Sequence, residues 1–194
     1  MRSTLFTCGQ RVPSERSGIR APFRAALESG AVAGWTGCLV LEDLPVMDHK
    51  TGPDLVAFNP DGRLALIECK RATSGDAKKG MFEQVLLYGE LFRPLLQECR
   101  RHDLEVQCCR APEWSSRPPV HELLRATDRW DLELWIVVDM WSPRMERTAR
   151  VRWGFFNEAL GRMGRPAIRA WCVGGAGLIE VPAPNAAYST VTEG

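Results

Sequence analysis

The hydrophobic pattern is clearest between residues 52 and 70, which read GPDLVAFNPDGRLALIECK. Two short apolar runs flank an Asn-Pro-Asp-Gly sequence at 59–62, in which Pro presets φ and Gly accepts the left-handed conformation. This pattern predicts two antiparallel strands joined by a type I turn that ends in a glycine bulge. If the loop comprises residues 60–62, Asp54 faces Glu68 across the hairpin.

A charged cluster is predicted at the open end of this hairpin. Residues that face each other across antiparallel strands lie about 4.5–5.5 Å apart at Cβ, and Lys70 points to the same side as Glu68. Two carboxylates and one ammonium group therefore lie together at one end of an otherwise apolar hairpin, and hydrophobic packing does not explain them. Two structural interpretations stay open: Asp54 as a strand-end cap, and Glu68–Lys70 as an edge ion pair, which stabilises little when exposed.

Both faces of the hairpin are apolar, so we expect helices to cover the sheet on both sides, as in an α/β sandwich. In chain order, the predicted elements are a helix from Pro22 to about Gly30, a strand at 38–42, the hairpin, a helix from about Asp76 to about Arg101 that Pro94 bends or interrupts, a strand at 103–109, a short helix at 120–126, a strand at 131–139, helical sequence starting at Ser142 and running from Trp153 to Met163, and paired strands at 168–173 and 178–181.

The length of 194 residues predicts one domain, residues 1–194. Its core is expected at about 20–140, a C-terminal elaboration at about 141–183 and a disordered tail at about 184–194.

Composition narrows the function classes. A net charge of +1 gives no global electrostatic case for nucleic acid, so such a partner needs a local basic patch. Seven cysteines without a CxxC pair, and three histidines without ligand spacing, argue against zinc and iron–sulfur sites. No signal peptide and no apolar run of about 18 residues is seen, so we expect a cytoplasmic protein without a membrane partner.

The predicted order of helix, strand, hairpin, helix and strand, with Pro53-Asp54 opening the hairpin and Glu68-Cys69-Lys70 closing it, resembles the PD-(D/E)xK nuclease superfamily over about residues 23 to 139. Gln84-x-x-x-Tyr88 on the next helix resembles the QxxxY motif of its RecB-like branch. The resemblance implies a restriction endonuclease-like αβββαβ core, with a mixed central sheet flanked by helices on both faces and a C-terminal helix and strand extension.

The resemblance also implies a metal site for Mg²⁺ or Mn²⁺. Hard divalent cations prefer oxygen ligands, and Mg²⁺ keeps several waters. Asp54 and Glu68 would supply carboxylates, the Cys69 carbonyl a third ligand, and Glu28 the acid found on the first helix of several branches. A plain helix-end acid is the alternative for Glu28.

Three further residues would act beside that metal. Lys70 would hold or polarise the attacking water, or stabilise charge at the phosphate. Gln84 would orient Lys70 or a water, and Tyr88 would contact a phosphate. The alternative is that Gln84 and Tyr88 are ordinary helix residues at the margin of the core.

Basic residues supply the candidate contacts to nucleic acid: Arg20, Arg24, Arg71, Arg144 and Arg147. The first two belong to a four-residue repeat of arginines, and the last two to a basic cluster after the last core strand. Solvated helix faces are the alternative explanation for both groups.

The resulting hypothesis is a metal-dependent DNA endonuclease of restriction, repair or defence type. Duplex cleavage by a single-site subunit favours a homodimer, and the absence of helicase motifs means that the protein acts alone or is recruited by a partner protein. The sequence leaves RNA open as a substrate. The alternative is a catalytically inactive PD-(D/E)xK-like nucleic-acid-binding or assembly subunit.

Overall fold

The computed structural model describes residues 16–42, 52–73, 80–102, 131–174 and 177–184. These ranges contain a π-helical segment (Arg16–Arg20), α1 (Ala21–Glu28), β1 (Leu39–Glu42), β2 (Leu55–Phe58), β3 (Arg63–Lys70), α2 (Met81–His102), β4 (Asp131–Val138), α3 (Pro143–Arg162), β5 (Arg169–Gly174) and β6 (Gly177–Val181). Four predictions lie outside the described residues: the strand at 103–109, the helix at 120–126, the start of the preceding helix at Asp76, and most of the tail.

The six described strands form one mixed sheet in the order β1-β2-β3-β4-β5-β6. The first three strands are antiparallel, β3, β4 and β5 run parallel, and β6 returns antiparallel to β5. The chain between β3 and β4 contains α2, since parallel neighbours need a crossover connection. The expected α/β class with a mixed sheet is confirmed.

Hydrophobic side chains along β3 point alternately to one face of the sheet and to the other. Leu64 and Leu66 of β3 join a core cluster with residues of α2 and α3. Ala65 and Ile67, which point the other way, pack with Phe23 of α1. Helices therefore cover both faces, as the apolar hairpin predicts.

The hairpin has the predicted turn and register. The Asn59 N–H donates to the Arg63 carbonyl at 2.8 Å, and the Gly62 N–H donates to the Asn59 carbonyl at 3.0 Å. Gly62 has φ 92°, the positive value that the bulge requires. Leu55 lies opposite Ile67, so one step further along this register brings Asp54 to Glu68.

The C-terminal elements complete the sheet rather than forming a separate layer. The Ser142 side chain caps α3 by accepting from the Met145 N–H at 3.2 Å, and the helical stretches predicted after Ser142 are one helix. The terminal strand pair is confirmed as β5 and β6. Among the described helices, none combines the length and apolarity needed to cross a lipid bilayer.

Candidate active site

Asp54 lies just before β2, and both of its carboxylate oxygens are engaged. Oδ2 accepts a hydrogen bond from the Cys69 N–H at 2.8 Å, and Oδ1 accepts from the Arg20 guanidinium in an ion pair. The Asp54 and Arg20 side chains are 3% and 4% exposed. Asp54 therefore extends the pairing of β2 with β3 beyond the last ladder pair, and it ties α1 to the same end of the hairpin.

Glu68 and Lys70 form the second charged pair at this end. The Lys70 Nζ lies 2.7 Å from Glu68 Oε1, and the Glu68 side chain is 1% exposed. The two residues are separated by one position on β3, so their side chains leave the same face of the sheet. Lys70 keeps an exposed fraction of 13%, which makes it the more accessible member.

The two pairs belong to one cluster around Cys69. Burial raises the pKa of the Cys69 thiol well above its ordinary value, and the charge of Asp54 raises that pKa further. Asp54 is bonded to the Cys69 N–H and to Arg20, and Glu68 and Lys70 flank Cys69 on β3, so we call Arg20, Asp54, Glu68 and Lys70 the charge quartet. With two carboxylates and two cations, its formal charge is balanced.

The QxxxY residues contact each other on the face that carries Glu68. The Gln84 Nε2 donates to the Tyr88 hydroxyl oxygen at 2.6 Å. Tyr88 is buried in the core cluster that includes Leu64 and Leu66 of β3, and Glu68 continues the same alternation along that strand. The structure thus brings the two motif residues together and places Tyr88 on the face of the sheet to which Glu68 points. Their catalytic roles stay predictions.

Glu28 lies outside the quartet in the part of the chain that the structure describes. Its carboxylate accepts from the Arg24 Nε at 2.9 Å, and the Arg24 Nη1 donates to Glu42 at 2.8 Å. Burial lowers the pKa of Arg24, but the bonds to Glu42 and Glu28 outweigh this effect and raise it. Glu28 is therefore held by Arg24, and its role as a metal ligand stays a prediction.

The exposed position expected for the four-residue repeat of arginines is wrong at Arg20, which directly precedes α1. A solvated or phosphate-contacting helix face predicts an exposed guanidinium, whereas Arg20 is buried and bound to Asp54. The reason is the apolar repeat Ile19, Phe23 and Leu27, which packs on the sheet and carries the adjacent Arg20 inward. Arg24, beside the same repeat, is half-buried.

The remaining basic candidates differ in their surroundings. The side chains of Arg71 and Arg147 are exposed, and their role as nucleic-acid contacts stays a prediction. Arg144 lies in α3, but its side chain is outside the described part of the structure. Within the same cluster, Arg150 pairs with Glu146 at 2.6 Å and Arg152 pairs with Glu83 at 3.1 Å.

Two contacts at this end of the sheet were missed by sequence reasoning. The first is the role of Arg20 as the partner of Asp54, for which the adjacent apolar repeat was the available signal. The second is Asp139, whose Oδ1 accepts from the Ala72 N–H at 2.7 Å. Asp139 follows the end of β4, which runs parallel to β3. An acidic residue directly after this apolar strand was the feature of the sequence that could have indicated the contact.

The donor set fits a hard divalent cation in chemistry, but its present arrangement does not offer Asp54 to one. Two carboxylates suit a cation that keeps several waters. Among the described residues, however, no group of three or more His, Cys, Asp or Glu side chains could hold a metal. Because Arg20 occupies Asp54 Oδ1, a cation bound by both acids would compete with the Arg20 guanidinium for this carboxylate.

Comparison with known proteins gives no match: no family model, no curated protein and no solved structure resembles this chain closely enough to be matched. The candidate site therefore depends on its own geometry.

Proposed function

We propose that this protein is a divalent-metal-dependent nuclease with Asp54, Glu68 and Lys70 at its centre. The observation that carries the proposal is the hairpin register, which brings the Asp54 carboxylate to the Cys69 N–H, between Glu68 and Lys70 in sequence. Two buried carboxylates held at one strand end beside a lysine are the donor types that a hard divalent cation and a phosphodiester substrate require.

The residues have distinct roles in phosphodiester hydrolysis. When bound, Mg²⁺ or Mn²⁺ lowers the pKa of a coordinated water and neutralises charge on the phosphate oxygens. Asp54 and Glu68 are the acids that would hold the cation. Lys70, with its Nζ 2.7 Å from Glu68, is positioned to orient a water or to offset charge on the phosphate. Tyr88, bonded to Gln84, lies on the same sheet face.

The same proposal includes a more specific fold, the restriction endonuclease-like core. The order α1, β1, β2, β3, α2 and β4 supports a restriction endonuclease-like αβββαβ core, with α3, β5 and β6 as its extension. DNA is the proposed substrate, cleaved by an endonuclease of restriction, repair or defence type, and RNA is the other substrate to test. Duplex cleavage by a one-site subunit favours a homodimer.

A second candidate is a non-catalytic nucleic-acid-binding or assembly module of the same type. The observation that favours it is the balanced charge quartet, in which Arg20 engages Asp54 and Lys70 engages Glu68. Each carboxylate of the quartet already has a cationic partner, so in this case the cluster serves only to join α1 to the hairpin.

Thermal unfolding with and without Mn²⁺ distinguishes the two candidates. A ligand that binds only the folded state stabilises it by about 2.7 kcal/mol at 100 times its Kd. The nuclease proposal predicts a rise in Tm for the wild type and for Glu158→Gln, an exposed control on α3, but little rise for Glu68→Gln. The module predicts no specific rise for any of the three proteins, and that result would also remove the support for a metal site.

A further inference from the structure

Arg20 is unusual both in its backbone conformation and in the burial of its side chain. It ends the π-helical segment Arg16–Arg20 and directly precedes α1. π-helical turns are rare and frequently occur at functional sites. The side chain is 4% exposed, and arginine is almost never fully buried unless it is paired. Its ion-pair partner is Asp54, one of the two proposed metal ligands.

The charge balance of the quartet makes Arg20 a competitor of a cation. Each buried carboxylate needs a compensating charge, and in this structure Arg20 supplies it for Asp54 and Lys70 for Glu68. A divalent cation between the two acids would add two positive charges to a balanced cluster. Because Arg20 engages Asp54 Oδ1, it is the cation that competes most directly with a metal for that carboxylate.

We propose that Arg20 is a resident counter-ion of Asp54 that exchanges with the divalent cation. The guanidinium neutralises Asp54 until the cation binds, and it leaves the carboxylate when the cation arrives. The exchange keeps the affinity for the cation low in the free protein, where no phosphate is present to offset the added charge. This inference rests on the proposed nuclease function, because it needs a cation at Asp54 and Glu68.

The wild-type protein provides the direct test. In ¹³C,¹⁵N-labelled wild-type protein, the Arg20 Nε–H resonance is assigned by through-bond correlations along the Arg20 side chain to its backbone amide. Titration with Mg²⁺ is expected to shift or broaden this resonance in parallel with the backbone amide of Cys69. If the Cys69 amide responds while the Arg20 resonance stays unchanged, the exchange is overturned and the metal site stands.

A pair of variants tests the competition through affinity. Arg20→Met keeps an unbranched apolar stem without the charge, and Arg162→Met makes the same change at an arginine that pairs with Glu158 on α3 instead. Calorimetric titration with Mn²⁺ is expected to show about tenfold tighter binding for Arg20→Met and wild-type affinity for Arg162→Met. Equal affinities for the wild type and Arg20→Met would overturn the exchange.

The two proposals fail in different ways. If neither the wild type nor Arg20→Met binds Mg²⁺ or Mn²⁺, both the metal site and the exchange are wrong. If Arg20→Met does not fold, the titration of the wild-type Arg20 resonance decides alone, because it needs no folded variant of this residue.

Discussion

The Asp54 carboxylate accepts a hydrogen bond at 2.8 Å from the backbone N–H of Cys69. This bond continues the pairing of β2 with β3 past Leu55 and Ile67, where the regular ladder ends. It also holds Asp54 against the backbone between Glu68 and Lys70. The position of the candidate site is therefore set by the same strand pairing that builds the sheet.

The Asp54–Arg20 pair is expected to make a strongly coupled contribution to stability. Asp54→Ala removes the ion-pair partner of a buried guanidinium, which costs about 3–5 kcal/mol. In the double variant Asp54→Ala/Arg20→Met both members of this pair are neutral, so its loss of unfolding free energy should be smaller than the sum of the two single losses. Urea denaturation of the four proteins measures this coupling.

The exposed pair Arg162–Glu158 is the control for that cycle. Both side chains are largely in solvent, and exposed pairs contribute about 0.2–1 kcal/mol. Additive losses for Asp54 and Arg20, as in an exposed pair, would contradict the buried geometry.

The hairpin register is expected to depend on Gly62. At φ 92° a side chain is strained, so Gly62→Ala should lower the free energy of unfolding by about 1–2 kcal/mol. Gly161→Ala is the matched control, because Gly161 is helical and an added Cβ meets no atom within 4 Å. That variant should be neutral or slightly more stable. Chemical denaturation compares them, and an equal effect at both glycines would argue against the bulged turn.

The turn and the central strands could be predicted from the sequence because their signals are local. The Asn-Pro-Asp-Gly order fixes the hairpin loop, and the apolar run at 132–138 predicts β4. The Arg20–Asp54 contact spans 34 residues and depends on how α1 docks on the sheet, which no local pattern specifies. The pairing of β5 parallel to β4 is missed for the same reason.

Cys69 is expected to be chemically inert in the folded protein. Alkylation needs the thiolate, and burial raises the pKa of this thiol, so the protonated form persists at pH 8. Unfolding exposes the thiol and returns its pKa to the ordinary range, so the alkylation rate should rise. Mass spectrometry of iodoacetamide-treated protein, native and in urea, measures the rate at Cys69.

The half-buried Cys172 serves as the comparison within the same protein. It should be alkylated faster than Cys69 under native conditions. Native alkylation of Cys69 at the rate seen in urea would mean that the quartet is open to solvent.

Cleavage of supercoiled plasmid DNA in Mg²⁺ or Mn²⁺ tests the central claim most directly. The wild type and the exposed control Glu158→Gln should nick or linearise the plasmid only when the cation is present. Glu68→Gln and Lys70→Met should lose about 100-fold or more in rate, with folding checked by circular dichroism. If the wild type leaves the plasmid intact with either cation, or if all four proteins cleave it equally, the proposed active site is contradicted.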